Sequence, residues 1–192
     1  MARFGNQHGF RLIHISTDCV FSGTRGGYME KDPTDAPTLY GKTKNLGEIT
    51  VEQHVTIRTS IVGPELKPHG IGLFHWFMQQ VDMIQGYRRV FWNGVTTLEL
   101  AKAIEWLLPQ PVSGLIHLAT PQKISKYTLL YLFREVFNRS GVTIHPRDDI
   151  RSDKTLLNTR ADFTYPLPPY IAMLRELKEW MESHTERNYP YA

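Results

Sequence analysis

Short apolar runs alternate with amphipathic stretches along this chain of 192 residues. Three runs rich in β-branched residues, at 11–15, 55–64 and 115–119, have the composition of buried strands of a parallel sheet, the second one including its exit turn. Periodic helical patterns at 39–53 and 71–85 follow the first two runs. Strand, helix and strand in this order form a crossover unit, so the pattern predicts an α/β fold.

Further elements are predicted where an apolar period begins next to a capping residue. Thr38 is the predicted cap of the helix at 39–53, and Gly9 is expected to close a helix at 2–9. Residues 22–38 are predicted to be a flexible loop. A short strand or irregular segment is predicted at 91–97 and a strand at 142–145. Helices are predicted at 97–108, capped by Thr97, and at 126–138, capped by Ser125. A final helix is predicted from about 168 to 183, before a loose tail at 184–192.

The overall composition is that of a globular domain, with 41% hydrophobic and 21% charged residues. Its net charge is +3, but lysine and arginine are dispersed rather than clustered, so no nucleic-acid partner is expected. No apolar run has the length of a membrane span, and the first eight residues lack the apolar core of a signal peptide. These features predict a cytoplasmic protein without a membrane partner.

Cysteine and histidine usage argues against a metal centre. The chain has one cysteine, Cys19, so it forms no internal disulfide, which fits a reducing compartment. Its eight histidines show no zinc-ligand spacing. We therefore expect no metal site, and we expect Cys19 to fill space rather than to attack a substrate.

Tyr40 and Lys44 are candidates for proton transfer. Four residues apart on a predicted helix, they share one face. A free phenol has a pKa of about 10, and an ammonium held within about 4–6 Å lowers it towards neutrality. The same spacing also fits a buried tyrosine beside a solvated lysine, and the pair alone does not decide between the two interpretations.

The polar triplet Ser16, Thr17 and Asp18 ends the first predicted strand. Ligands of open α/β sheets bind at the carboxyl ends of strands, so Thr17 could donate a hydrogen bond to a substrate oxygen. Ser60 and Ile61 occupy the same position on the next strand. The alternative is a turn in which the triplet bonds its own backbone.

Two glycines, Gly41 and Gly47, interrupt the predicted helix at 39–53. Each costs about 1 kcal/mol relative to alanine in a helix interior. They indicate either the close approach of a backbone, a cofactor or a helix, or simple tolerance.

A resemblance to a known family is carried by four segments taken together: residues 14–23, 39–44, 47–48 and 58–60. They resemble the extended short-chain dehydrogenases/reductases, and within these the dTDP-4-dehydrorhamnose reductases and their sugar-nucleotide-binding relatives. The resemblance covers most of the chain, including 96–101 and 165–168.

The resemblance implies a fold, a reaction and an assembly. The fold would be the C-terminal portion of a Rossmann-like, doubly wound parallel sheet at 1–64 and 90–120, with a small, mostly helical substrate lobe at 65–89 and 121–192. The reaction would transfer a hydride from NADPH or NADH to a 4-keto sugar attached to a nucleotide. The assembly could be a homodimer.

The resemblance also implies roles for single residues. Tyr40 would donate a proton to the carbonyl oxygen, Lys44 would lower the pKa of Tyr40 and bond the nicotinamide ribose, and Thr17 would polarise the carbonyl. Those three residues form the implied catalytic set. The implied cofactor-binding set is Ser16, Tyr40, Lys44 and Ser60, and the implied substrate-binding set is Thr17, Asp18 and Ile61.

This sequence departs from the family pattern in two ways. It contains no glycine-rich strand–turn–helix for the cofactor diphosphate, so we expect about the first third of the family's fold to be absent and the isolated chain to bind dinucleotide poorly. Ile61 and Cys19 replace a tryptophan and a tyrosine of the rhamnose-forming reductases, which leaves the sugar open. The alternatives are a non-catalytic sugar-nucleotide-binding or regulatory protein on the same fold, or an epimerase or dehydratase.

Overall fold

A computed structural model describes residues 1–51, 53–67, 69–184 and 189–191. The helices are α1 (Ala2–His8), α2 (Leu39–Leu46), α3 (Leu73–Met78), α4 (Thr97–Leu107), α5 (Lys126–Val136) and α6 (Tyr170–Ser183). The strands are β1 (Ile13–Thr17), β2 (Val55–Thr59), β3 (Ile61–Val62), β4 (Met83–Tyr87), β5 (Val90–Trp92), β6 (Val95–Thr96), β7 (Gly114–His117), β8 (Ile124–Ser125), β9 (Thr143–Arg147) and β10 (Ser152–Asp153).

The central sheet has three parallel strands in the order β1–β2–β7. Ile15 pairs with Ile57, and Ile57 pairs with Ile116, so an apolar row crosses the sheet. All five residues of β2 are buried because neighbouring strands flank it on both sides. The predicted parallel α/β sheet is confirmed.

The described residues form two large apolar cores and a smaller cluster of Val20, Phe21, Tyr28 and Leu156. The first lies against the central sheet and includes Val55, Ile57, Val95, Leu107, Ile116, Phe163 and Met173. The second lies among α3, α5 and the short strands and includes Phe74, Phe77, Trp92, Leu129, Phe133, Ile144 and Leu174. Adjacent residues of α6, Met173 and Leu174, enter different cores, so this helix joins them. The division into a sheet portion at 1–64 and 90–120 and a substrate lobe at 65–89 and 121–192 remains a prediction.

The helix predicted at 71–85 is wrong in its second half. α3 ends at Met78, and residues 83–87 form β4, which pairs in parallel with all five residues of β9. Exposure alternates along β4, with Met83 at 65% and Ile84 at 6%, which is the period of a strand. The part of the chain predicted to be a mostly helical lobe therefore also contains short strands.

The helix predicted at 39–53 ends early, at Leu46. After it, the Thr56 hydroxyl accepts a hydrogen bond from the Ile49 amide (2.9 Å) and lies 2.7 Å from the Ile49 carbonyl oxygen. These bonds satisfy the backbone at residue 49 and draw the chain onto β2. Tertiary contacts thus replace about the last two turns of the predicted helix.

The predicted caps are mostly correct. Thr38 accepts a hydrogen bond from the Gly41 amide (3.2 Å), Ser125 caps α5 in the same way, and Gly9 closes α1 in a left-handed conformation. At α4 the cap is Thr96 instead of the predicted Thr97, because the Thr96 hydroxyl accepts from the Glu99 amide.

The C-terminal tail at 184–192, which the sequence predicts to be loose, is anchored in part. Tyr191 packs edge-on against Phe74, and its hydroxyl accepts a hydrogen bond from the Glu65 amide (2.8 Å). Residues 185–188 and 192 lie outside the described residues. Of the helices in the described part of the chain, none is long and apolar enough to cross a membrane.

Candidate active site

β1 ends at Thr17, and the chain then makes a 3₁₀ turn over Asp18–Val20. The Thr17 hydroxyl accepts a hydrogen bond from the Cys19 amide (3.2 Å) and donates one to the Asp18 carboxylate (3.1 Å). The structure therefore contains the turn, bonded to its own backbone, that is the alternative interpretation of this triplet. Thr17 remains 8% exposed at the carboxyl end of the strand, where a ligand of a parallel sheet is expected.

Helix α2 docks directly on this turn through Gly41. A Cβ atom on Gly41 would lie 2.1 Å from the Cys19 carbonyl oxygen and 2.8 Å from the Ala36 Cβ, so a larger residue does not fit. Gly47 has only ordinary contacts, the nearest at 3.5 Å, and it ends the helix. Close approach explains Gly41, whereas Gly47 is simply tolerated.

Tyr40 lies next to Gly41 in the first turn of α2, and it is 57% exposed. Among the described residues its hydroxyl has no hydrogen-bond partner. One turn later, the Lys44 ammonium donates a hydrogen bond to the Ile15 carbonyl (2.6 Å), two residues before Thr17. The structure thus brings α2, with Lys44, to the strand end that carries Thr17, and among the described residues no hydrogen bond joins the Tyr40 phenol to Lys44 or Thr17.

A buried ion pair holds the segment after α2 in place. Arg58 on β2 binds both carboxylate oxygens of Glu48 at 2.7 Å, and the two side chains are 4% and 6% exposed. Ser16 donates a hydrogen bond to the same carboxylate (2.6 Å), and the Arg58 guanidinium covers the ring of Phe21. Ser16, which the resemblance assigns to the cofactor, is therefore also part of this structural network. Sequence reasoning gave no role to Glu48 or Arg58.

Ser60 and Ile61 follow the carboxyl end of β2, next to Thr17, because Thr17 and Thr59 pair across the sheet. The Ser60 hydroxyl accepts a hydrogen bond from the Trp92 indole (3.0 Å). Ile61 is 47% exposed on β3. Both residues thus border the same edge of the sheet as the polar triplet.

Two lysines that sequence reasoning missed approach the same turn. The Lys154 ammonium lies 3.7 Å from the Cys19 sulfur. Lys126 is the first residue of α5, and its ammonium lies 5.7 Å from the centre of the Trp92 ring. A cation in the first turn of a helix is unfavourable, so its place after the cap Ser125 was a usable signal. No sequence signal marked Lys154.

Burial shifts the acid–base properties of this cluster. It raises the pKa of the Asp18 carboxyl, and Lys126, Thr17 and Lys154 only partly oppose that effect. It lowers the pKa of the Lys126 ammonium, which the charge of Asp18 partly restores. Burial, followed by the charge of Asp18, also raises the pKa of the Cys19 thiol, so this thiol is not an activated nucleophile.

The residues present fit one end of a dinucleotide better than the other. The exposed Tyr40 hydroxyl and the Lys44 ammonium, which has donors beyond the one given to Ile15, suit a ribose. For the diphosphate, the 192 residues contain no glycine-rich turn leading into a helix. Among the described residues, no group of three or more histidine, cysteine or acidic side chains could hold a metal ion.

Comparison with known proteins identifies a matching family model and several relatives. The RmlD substrate binding domain family model matches residues 1–151. The spore coat polysaccharide biosynthesis protein SpsK of Bacillus subtilis is 34% identical over 128 residues, 62% of this chain and 44% of that protein. A dTDP-4-keto-6-deoxy-D-glucose reductase of Streptomyces niveus is 30% identical over 132 residues, 62% and 43% of the two chains. The methionine adenosyltransferase 2 subunit beta of Danio rerio is 27% identical over 140 residues, 66% and 43%.

A solved structure shares the fold. The dTDP-4-dehydrorhamnose reductase of Bacillus anthracis, in complex with NADP, superposes with a TM-score of 0.74 at 20% identity, over 92% of this chain and 67% of that one. This likeness confirms the Rossmann-like fold class. The chain spans less than half the length of the curated relatives it matches. Because the family model accounts for 151 of its residues, the chain belongs to the RmlD substrate binding domain family of the extended short-chain dehydrogenases/reductases.

Proposed function

We propose that this chain carries the proton-donating and substrate-binding part of an NAD(P)H-dependent reductase that acts on a nucleotide-linked 4-keto sugar. The observation that carries the proposal is the docking of α2 on the end of β1, where Gly41 approaches the Cys19 carbonyl and Lys44 donates to the Ile15 carbonyl. The 30% identical reductase of dTDP-4-keto-6-deoxy-D-glucose supports the substrate class. A cytoplasmic location and a homodimer remain predictions from the sequence.

The residues divide the chemistry as follows. A bound reduced nicotinamide would supply the hydride. Tyr40, exposed at the start of α2, would donate the proton to the oxygen that becomes the new hydroxyl. Thr17 would polarise the carbonyl by turning its hydroxyl from Asp18 towards the substrate oxygen. Lys44, which is fixed by the Ile15 carbonyl, would hold a positive charge near the phenol and favour the phenolate that is left.

The remaining assigned residues would hold the ligands. Ser16 and Ser60 would line the cofactor side, and Asp18 and Ile61 would contact the sugar. Lys44 would also bond the ribose of the cofactor. Whether the isolated chain retains a dinucleotide is a separate question, which calorimetry with NADPH answers directly; we expect weak binding, and a submillimolar Kd would contradict that expectation.

The test is NADPH or NADH consumption with a panel of nucleotide-linked 4-keto sugars. We expect Tyr40→Phe to reduce kcat by about 10²–10⁴-fold, because the substitution removes only the transferable proton. Tyr87→Phe, on β4 and outside this site, is the matched control and should keep the wild-type rate. Measurable turnover by wild type that is unchanged in Tyr40→Phe would remove the catalytic assignment.

A second candidate is a non-catalytic protein that binds a nucleotide sugar. It is favoured by the 27% identity to the methionine adenosyltransferase 2 subunit beta over 140 residues. Saturable binding of nucleotide sugars with no consumption of either reduced cofactor would select this candidate.

A further inference from the structure

We propose that Lys126 and Lys154 form an anion subsite that recognises a carboxylate on the sugar ring, next to the keto carbon. This inference rests on the proposed function and names the substrate class more closely: a nucleotide-linked sugar acid rather than a neutral deoxy sugar.

The two ammonium groups converge on the turn that follows Thr17. Lys154 contacts the Cys19 sulfur at 3.7 Å, and the Cys19 amide donates to the Thr17 hydroxyl at 3.2 Å. Lys126 approaches from α5, where its ammonium lies 5.7 Å from the centre of the Trp92 ring, and the Trp92 indole donates a hydrogen bond to Ser60 at the same sheet edge (3.0 Å). Two lysines therefore face one carboxylate, which leaves an excess positive charge beside the group that would polarise the substrate carbonyl.

Lys126 has no acceptor that accounts for its position. Within the described ranges, its ammonium forms no hydrogen bond or ion pair and lies over the face of the Trp92 ring. It also starts α5, where the helix dipole opposes a cation. The neighbouring Lys123, in contrast, is neutralised by Asp153 at 2.5 Å. A desolvated, unpaired ammonium is costly, and a bound anion would offset that cost.

The position of the lysines favours an anion on the sugar ring over the diphosphate. In a 4-keto pyranose, the diphosphate hangs from the anomeric carbon, which lies across the ring from the keto carbon. The substituents of the two carbons that flank the carbonyl lie close to it. Lys154 contacts the side chain of Cys19 and the Thr17 hydroxyl accepts from the Cys19 amide, so in this proposal the Lys154 ammonium serves a substituent on a carbon that flanks the carbonyl.

The experiment is calorimetric binding of three probes to the full chain: UDP-glucuronate, UDP-glucose and UDP. The first two differ by a carboxylate against a hydroxymethyl group. We expect wild type to bind UDP-glucuronate about tenfold more tightly than UDP-glucose, because one charge-assisted hydrogen bond to the carboxylate contributes about that much to affinity. Lys126→Met and Lys154→Met should each reduce that ratio to about twofold or less, whereas Lys154→Arg and the exposed control Lys31→Met should retain it.

Each outcome has one meaning. The subsite is supported if Lys126→Met and Lys154→Met lose the preference for UDP-glucuronate over UDP-glucose while Lys154→Arg and Lys31→Met keep it. The melting temperatures of the two methionine variants should then be at or above that of wild type. Equal binding of both sugars by wild type overturns the inference and leaves the proposed function standing. An equal weakening of UDP itself by either substitution assigns the lysines to the diphosphate and overturns the ring assignment. Failure of wild type to bind any of the three probes refutes the proposed function and the inference with it.

Discussion

At the scale of single residues, the region around Asp18 combines groups that burial makes unfavourable. Asp18 has a raised pKa and Lys126 a lowered one, and burial is the largest cause of both shifts. The opposite charges restrain each other without forming an ion pair. Such an arrangement is typical of sites that bind a ligand at the expense of stability.

A stability measurement tests this reading of Lys126. We expect Lys126→Met to raise the free energy of unfolding at neutral pH by about 1 kcal/mol, because it removes a desolvated charge and keeps the alkyl stem against Trp92. A lysine with a lowered folded pKa costs stability at low pH, and the cost fades as pH rises from the folded pKa to the unfolded value of 10.5. Urea unfolding should therefore show the gain in stability at neutral pH and no gain above pH 10.5. A gain that is the same at both pH values would contradict the explanation.

At the scale of elements, the site depends on how α2 attaches to the central sheet. Three contacts hold it: Gly41 against the Cys19 carbonyl, Lys44 on the Ile15 carbonyl, and the Glu48–Arg58 ion pair just beyond the helix end. Local sequence preference contributes the cap at Thr38, and the three contacts fix the helix position.

Two glycine substitutions separate docking from helix propensity. Gly41→Ala adds a methyl group that would overlap the Cys19 carbonyl, so we expect a net loss of about 1–2 kcal/mol in the free energy of unfolding. Gly47→Ala is the matched control. Its φ of −83° suits alanine and no neighbour lies closer than 3.5 Å, so stability should stay equal or rise by up to about 1 kcal/mol. Similar effects from both substitutions, measured by denaturant unfolding, would disprove the docking argument.

The buried ion pair gives a second prediction for this element. Arg58→Leu leaves the Glu48 carboxylate buried without its partner, and we expect it to cost about 3–5 kcal/mol. The double variant Glu48→Leu/Arg58→Leu should lose clearly less than the sum of the single variants, because no charge remains buried. A double-mutant cycle measured in urea gives the coupling, and additive losses would show that the two residues act independently.

At the scale of the whole molecule, a polar network around His117 links distant parts of the chain. Its ring Nδ1 lies 3.1 Å from the Tyr28 carbonyl oxygen and 3.0 Å from that of Leu157, so this nitrogen carries the proton. Glu30 accepts hydrogen bonds from the His117 amide and from Thr159. Strand β7, the loop at 22–38 and the segment after β10 are thereby fixed together. The loop that the sequence predicts to be flexible is pinned to the core at Tyr28, which is 4% exposed.

This network predicts how stability responds to acid. Burial, aided by Arg58 and opposed by Glu30, lowers the pKa of His117 below 6.5. Below that value the unfolded chain binds a proton at this residue while the folded chain resists it, so the free energy of unfolding falls as pH falls. We expect His117→Asn, which keeps a donor for the carbonyls, to make the decline below pH 6.5 shallower. The exposed control His145→Asn should keep the wild-type slope, and an unchanged slope in His117→Asn would refute the prediction.

The sequence by itself determined the local features of this protein. The apolar runs identified β1, β2 and β7, and capping side chains identified the starts of α2 and α5, because both signals depend on neighbours within a few residues. The motif around Thr17, Tyr40 and Lys44 also identified the family, since it combines residue types at fixed spacing.

Only the tertiary structure decided what depends on distant partners. The early end of α2 follows from Thr56 and Arg58, and the change from helix to strand at Met83 follows from pairing with β9. The contact between Lys154 and Cys19 joins residues more than 100 positions apart. No short-range pattern encodes such contacts, because the burial that shifts the pKa of Asp18 and Lys126 exists only after the chain has folded.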